Sequence, residues 1–333
     1  MTTLVTGGAG FLGLYITEQL VARGEGVRVL CRRPHPRLDE LGVRWIEGDI
    51  RDVLTVIKAC RDCETVYHVA AIPGIWGPWK TFYDTNTQGT INVIAACRSA
   101  NVGKLIYTSS PSVVYDGSEH CGADESLPYP NSYLCHYPHT KAIAERAVLE
   151  ANGQSDMLTV SLRPHLIWGP RDNHLVPRLI QRAKSGRLRI VGDRKNLIST
   201  SYVENVAAAH LLAADRLALD APHAGKAYFI NEPEPVVLWD WVNEILTRAH
   251  LRPVTKRISK NAAWAVGLMC EKIYGVLGIQ SEPPMTRFLA SQLSGSHYYS
   301  IAAAQRDIGY RPIVSVDEGM RRMDADLKRW AAE

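Results

Sequence analysis

The chain has 333 residues, 46% apolar and 22% charged, with 38 Lys+Arg against 34 Asp+Glu for a formal net charge of +4. That balance excludes a disordered or fibrous chain and gives no footing for a nucleic-acid partner. Seven scattered cysteines, and a start that reaches Gly7-Gly8 with no basic or long apolar segment before it, predict a reducing, cytoplasmic setting with free thiols.

Leu4-Val5-Thr6 is the first β-branched run, followed by a helix expected from about Phe11 with Leu12, Ile16 and Leu20 on one face. Strands are then expected at Val27-Arg28-Val29-Leu30, Val43-Arg44-Trp45-Ile46, Thr65-Val66-Tyr67-His68-Val69, Lys104-Leu105-Ile106-Tyr107 and Val160-Ser161-Leu162. Short apolar strands alternating with helical stretches predict an α/β fold, a doubly wound parallel sheet covered on both faces. After Gly169-Pro170 the texture changes. A segment rich in Arg and Lys runs to about Thr200, Tyr202-Val203-Glu204-Asn205-Val206 restarts an αβ unit ending near Tyr228-Phe229-Ile230, and the remainder reads as mostly helical. We therefore divide the chain into a nucleotide-binding domain, 1–172 plus 200–231, and a smaller substrate lobe, 173–199 plus 232–333. Residues 262–279 are nearly all apolar but are split by Glu271-Lys272, which is too short and too polar for a membrane span. Two readings follow: a core helix closing an apolar pocket, which is the commoner fate of such a run, or a helix lying at a membrane surface.

Gly7-Gly8-Ala9-Gly10-Phe11-Leu12-Gly13 follows the first strand and opens the first helix, as the Rossmann dinucleotide fingerprint does. Gly7 permits the turn, Gly10 lets backbone approach a pyrophosphate, and Gly13 lets helix and strand pack closely. The helix start, with Phe11 and Leu12, offers free N–H groups to the anion. At the end of the second strand an NAD enzyme places Asp or Glu to accept from the ribose 2′-OH. Here Cys31 runs into Arg32-Arg33, with no carboxylate before Asp39. Two guanidiniums suit a 2′-phosphate, so NADP(H) is the expected cofactor. The bland alternative is a solvated basic turn.

Tyr137 and Lys141 stand at i and i+4, the only Tyr–Lys pair of that spacing in the chain. Upstream, Thr108-Ser109-Ser110 follows a strand end, where doubly wound sheets bind ligands. Reducing a ketone requires a proton for the developing alkoxide. A phenol near pKa 10 gives one up only with a cation beside it, and a serine hydroxyl can hold the carbonyl oxygen as charge builds.

Together these stretches resemble the extended short-chain dehydrogenase/reductases of the 3β-hydroxysteroid dehydrogenase-like branch. The resemblance also covers Gly48-Asp49-Ile50-Arg51-Asp52, His68-Val69-Ala70-Ala71, Asn86-Thr87-Gln88-Gly89-Thr90, Arg163-Pro164-His165-Leu166-Ile167-Trp168-Gly169-Pro170 and Asp307-Ile308-Gly309-Tyr310-Arg311-Pro312. It implies Tyr137 as proton donor, Lys141 on the nicotinamide ribose, and Ser110 orienting the carbonyl, with Ser109 and Thr108 as rivals. It further implies Asp49 and Ile50 at the adenine, Ala70 and Ala71 along the ribose–phosphate path, Thr108 against the cofactor, and Pro164, His165 and Ile167 at the nicotinamide end. Asn86 either stands near the catalytic group or serves a helix start. Within the branch, Ala71-Ile72-Pro73-Gly74-Ile75-Trp76-Gly77, His174-Leu175-Val176-Pro177-Arg178-Leu179 and Pro283-Pro284-Met285-Thr286-Arg287-Phe288-Leu289 are similar to bacterial 2-alkyl-3-oxoalkanoate reductases of olefin biosynthesis. Sterol-processing dehydrogenases share much of the pattern.

Trp76, Trp79, Trp168, Arg171 and His174 are the candidate substrate contacts, although packed loop indoles would look the same. Arg163 and His68 read as structural. Cys60-Arg61-Asp62-Cys63 has metal-like spacing but no second pair, and no metal is expected. The expected activity is NADPH-dependent reduction of a large apolar 3-oxo acid. A 3β-hydroxysteroid or sterol 4-carboxylate dehydrogenase, a sugar-nucleotide epimerase and a non-catalytic NADP sensor are the alternatives. By analogy, helices near 90–101 and 139–151 would pair two copies, and other lipid-pathway enzymes are candidate partners.

Overall fold

In the computed structural model, which describes residues 2–333, the β-branched runs become seven strands: β1 (Thr2–Thr6), β2 (Gly26–Cys31), β3 (Arg44–Glu47), β4 (Thr65–His68), β5 (Lys104–Thr108), β6 (Leu158–Pro164) and β7 (Lys226–Ile230). All neighbours pair in parallel, in the order β3-β2-β1-β4-β5-β6-β7. The order reverses beside β1, and that reversal opens the crevice in which such sheets bind ligands. Both faces are covered, which is why the strands read as apolar runs without alternation. On one face Val5, Val29, Tyr67, Ile106, Val160 and Leu162 pack under α1 (Phe11–Ala22) and a long helix, Val203–Arg216. On the other, Leu4, Leu30, Val66, Leu105 and Tyr107 meet α2 (Val53–Cys60), α3 (Gly89–Ser99) and α4 (His136–Glu150). Leu12, Ile16 and Leu20 are buried, as the helical spacing predicts.

A second core lies beyond the C-terminal edge of the sheet. Trp168, Ile180, Trp239, Trp241, Ile245, Met320 and Leu327 are buried there, contributed largely by α5 (Leu175–Lys184), α7 (Leu238–Arg248) and α10 (Val316–Ala332), with α6 being Val203–Arg216 in this numbering. The chain crosses between the cores: Trp168 and Tyr202 belong to the second, while Ile301, Ile308 and Tyr310 return to the first. This region also holds a four-stranded sheet of His120–Ala123, His297–Tyr299, Leu197–Ile198 and Val236–Val237. Strands of two to four residues are too short for a periodic pattern, so a mostly helical reading of the sequence misses them. Helices α8 (Lys260–Val276) and α9 (Arg287–Ser294) complete the lobe. No helix among the described residues is long and apolar enough to cross a membrane.

The core-helix reading of 262–279 is corrected here. Only Ala263 and Gly267 of α8 are buried, and most of its apolar side chains face outward.

Candidate active site

Six strand ends deliver the site, each loop leaving the C-terminal edge of the sheet. After β1, Gly7 takes φ +69°, and a Cβ there would stand 2.9 Å from the Ala70 backbone; one at Gly13 would stand 2.2 Å from the Gly7 carbonyl oxygen. Only glycine fits either place. Gly10 starts α1 with no side-chain cap, so the Phe11, Leu12 and Gly13 amides keep their N–H groups free at the positive end of the helix. Leu12 contributes backbone alone, since its side chain is in the core. Ala70 presses on this loop and donates its N–H to the Thr6 hydroxyl at 3.3 Å. A packed turn that admits no Cβ, followed by free amides at a helix N-terminus, fits a dinucleotide pyrophosphate.

After β2, Arg32 and Arg33 are exposed and enter no ion pair among the described residues. After β3, Asp49 pairs with Arg51 at 2.8 Å. Although partial burial would raise it, the Arg51 bonds and the field of Arg32 hold this carboxyl below its usual range, so Arg32 and Asp49 share one corner. Ile50 is buried against Gly89, with its side chain in the core and its carbonyl accepting from Asn92 at 3.0 Å.

The catalytic-type residues meet at α4. Its stripe at i, i+4 and i+8 carries Tyr137, Lys141 and Glu145. Lys141 is buried, donates to the Thr108 carbonyl at 2.6 Å, and lies 4.1 Å from the centre of the Tyr107 ring. Burial pulls its pKa down to about 7, while the Glu145 carboxylate opposes the fall. Tyr137 is half-buried, and its withdrawal from water pushes the phenol up to about 12; the Ser110 hydroxyl beside it works the other way. Of the three hydroxyl residues at the end of β5, Thr108, Ser109 and Ser110, Ser110 is the one brought to Tyr137. The Thr108 hydroxyl bonds His210 Nε2 at 2.8 Å, and Ser109 is buried on the Glu145 side. Ser110 is itself steadied by the Ser112 hydroxyl at 2.9 Å.

Glu145 and its partner carry the part of the site that the sequence reading missed. The carboxylate, fully buried, accepts from Arg163 Nε and Nη2 at 3.0 and 2.7 Å, from Ser161 at 2.7 Å and from Tyr129 at 2.7 Å. The Arg163 charge holds the Glu145 carboxyl below its usual range despite the burial. The signal was present in the sequence as a third chemistry-bearing residue on the Tyr137–Lys141 stripe.

Asn86, Trp168 and Arg171 take other roles. Asn86 lies in a wide-turn segment, Tyr83–Gln88, and its amide accepts from the Ile72 N–H at 2.8 Å while donating to the Ile72 carbonyl at 3.1 Å and to Thr140 at 3.3 Å. With those bonds made, it positions the loop after β4 against α4. Trp168 is not a substrate wall: it is fully buried between Tyr202 and Trp241, ring centres 5.1 and 6.0 Å away. Arg171 is spent on Glu18, through two bonds of 3.0 and 2.7 Å, and on the face of Tyr15, so it has no free fork for a carboxylate. His174 is exposed at the start of α5, its amide held by Asp172, which caps that helix. Trp76 stands in the loop after β4, and Trp79 starts the short helix Trp79–Phe82 that follows it. The Trp76 indole donates to the Ile279 carbonyl at 3.0 Å, and Trp79 packs on Tyr83, His136 and His139.

Beyond Ser112, Pro164 ends β6 and leads into His165, whose Nδ1 meets the Ser199 carbonyl at 2.9 Å. Its ring packs on His297 and Tyr299, and Ile167 is paired with Ser201. Burial holds the imidazoles of His165 and His297 below their usual value, the latter to about 4.

A profile of the 3-beta hydroxysteroid dehydrogenase/isomerase family matches residues 4–258. The chain belongs to that family. It is 47% identical to the 2-alkyl-3-oxoalkanoate reductase of Stenotrophomonas maltophilia over 98% of this chain and 99% of that one. It is 45% identical to the Shewanella oneidensis protein of the same name, over 97% and 85%. The mouse sterol-4-alpha-carboxylate 3-dehydrogenase, decarboxylating, is 38% identical over 96% and 88%. Among solved structures, gox2253 superposes with a TM-score of 0.79 at 26% identity over 98% and 99% of the two chains. MoeE5 in complex with UDP-glucuronic acid and NAD superposes at 0.74, with 25% identity over 99% of each. Family membership, the glycine cradle and the Ser110–Tyr137–Lys141 group together make this an NAD(P)-dependent oxidoreductase of the extended short-chain type.

Proposed function

We propose that the chain reduces the 3-keto group of a long-chain 2-alkyl-3-oxoalkanoate to the 3-hydroxy acid, with NADPH as reductant. What carries this reading is identity of 47% to a reductase of that name along nearly the whole of both chains. The preference for NADPH is supported by the unpaired Arg32 and Arg33, which stand where an NAD enzyme keeps a carboxylate.

The Gly7–Gly13 amides would hold the pyrophosphate, Arg32 and Arg33 the 2′-phosphate, Asp49 the adenine side, Lys141 a ribose hydroxyl, and Pro164, His165 and Ile167 the nicotinamide end. When bound, the cofactor supplies the hydride for carbon three. The Ser110 and Tyr137 hydroxyls donate to the 3-oxygen, and Tyr137 releases its proton as the alkoxide forms. The Lys141 cation favours the phenolate left behind, which is why its charge matters. In the sterol-4-carboxylate relatives, as their name states it, the reacting oxygen also sits one carbon from a carboxyl-bearing carbon. The shared requirement is a β-oxo or β-hydroxy acid.

The test follows reduced-nicotinamide absorbance with a 2-alkyl-3-hydroxy long-chain acid and NADP+, beside a 3β-hydroxy-4-carboxysterol. Turnover of the alkyl acid, with Arg32→Ala/Arg33→Ala cutting the preference for NADP+ over NAD+ by about ten- to a hundredfold, is the expected result. Turnover of the sterol alone replaces the substrate, and silence on both with NADPH still bound favours the sensor reading.

A further inference from the structure

Helix α8 carries its apolar residues on the wrong side for a core element. Its buried seam is narrow: Ala263, then Gly267, where a Cβ would lie 2.6 Å from the Thr286 carbonyl carbon at the start of α9. Glu271 continues the seam, accepting from the Arg287 N–H at 2.7 Å and from its Nε at 2.6 Å. Tyr274 closes it, edge-on to Trp76 at 6.2 Å. These contacts lock the helix in one orientation, so its outer face is a fixed surface.

That outer face is apolar. Trp264, Val266, Met269, Ile273, Val276 and Leu277 are 37–88% exposed, and they are six of the eleven large apolar side chains exposed among the described residues. Val266, Met269, Ile273 and Val276 recur at steps of three, four and three, a single stripe along the helix. A stripe of this kind marks a surface that something covers.

Charge identifies the cover. Residues 252–287 contain Arg252, Lys256, Arg257, Lys260, Lys272 and Arg287 against Glu271 and Glu282, so 6 − 2 = +4, equal to the net charge of the entire chain. Both carboxylates are tied to arginines: Glu271 to Arg287, and Glu282 to Arg178 and Arg182. Lys260, at the start of the helix, and Lys272, between Met269 and Ile273, stay exposed. A second copy seated here would bring two cationic collars together. A negatively charged lipid surface matches both the apolar stripe and the collar.

We propose that α8 seats this protein on an anionic lipid bilayer, with the stripe at the boundary between headgroups and acyl chains. Behind the seated face, Tyr274 on the seam packs against Trp76 of the loop leaving β4 at the C-terminal edge of the sheet. Delivery of a lipid substrate through that face rests on the function proposed above; the seating itself does not.

The full chain is floated with phosphatidylcholine vesicles containing phosphatidylglycerol, and with phosphatidylcholine vesicles alone. Recovery with the anionic vesicles should exceed that with neutral ones by at least about tenfold and fall as salt is raised. Met269→Glu/Ile273→Glu and, separately, Lys260→Glu/Lys272→Glu should each lower it by about tenfold or more, with NADPH binding kept. The proposal is overturned by wild-type recovery at background, or by recovery unchanged in both variants. It is also overturned if Met269→Glu/Ile273→Glu converts a dimer to monomers in sedimentation with no vesicle binding by the parent, since a second copy then covers the stripe.

Discussion

Tyr137 and Lys141 are mismatched for acid–base work in isolation. Burial raises the phenol to about 12 and lowers the ammonium to about 7, so each is pushed away from the charged form that catalysis uses. In the proposed mechanism their spacing on one helical face makes the opposed shifts useful, with the Lys141 cation favouring the phenolate. Removing only the phenol oxygen, Tyr137→Phe, should cut turnover by roughly a hundred- to ten-thousand-fold while NADPH affinity, read by fluorescence titration, stays within a factor of about three. Turnover at the parent rate would remove Tyr137 from the mechanism. At this scale the sequence showed residue types and spacing but not direction. Trp168 and Arg171 looked available for a substrate until their neighbours, Trp241 and Glu18, were seen to occupy them.

Helix α4 joins the proposed acid–base pair to the buried core through one carboxylate. Glu145 holds Arg163 in a fully buried pair, and its field supports the charge on Lys141 one turn away. The groups facing Lys141 include Tyr107 from β5, His68 from β4 and the Glu145–Arg163 pair. Glu145→Gln leaves the guanidinium buried without its counter-charge, an effect of about 3–5 kcal/mol on unfolding by urea. It also withdraws the field that keeps Lys141 protonated, so the alkaline fall in turnover should move to lower pH. A stability loss with an unmoved pH profile would make Glu145 purely structural. The stripe was legible as spacing, but the partner was not. Arg163 stands eighteen residues away, on a strand, and only the packing of α4 against β6 joins them. Asn86 is similar: its motif was visible, and its grip on Ile72 was not.

For the molecule as a whole, buried neutral histidines set the acid limit. His68, His210 and His297 fall from the ordinary 6.5 to about 3, 4 and 4, and His165 falls well below it, each mainly through burial. Their folded-state values lie below the unfolded one, so the unfolded chain binds protons first as pH drops. Stability from this source is complete above about 6.5 and is lost as pH falls toward 4, by about 1.4 kcal/mol per pH unit for each histidine in that window. Urea midpoints measured between pH 7 and pH 5 should therefore fall steeply, and His210→Gln should flatten the slope. An unchanged midpoint across that range would contradict the assignment.

The parallel sheet, the glycine cradle and the Tyr137–Lys141 pair were readable from the chain because each rests on local rules: strand periodicity, the turn only Gly7 can make, and the i, i+4 face of a helix. The choice of Ser110 over its neighbours, the pairing of Glu145 with Arg163 and the outward face of α8 depended on contacts between distant segments. An apolar run such as 262–277 has the same composition whether it is covered by its own chain or by something else. What decides between them is the narrow Ala263–Gly267 seam against Thr286, a contact that exists only once α8 and α9 are packed.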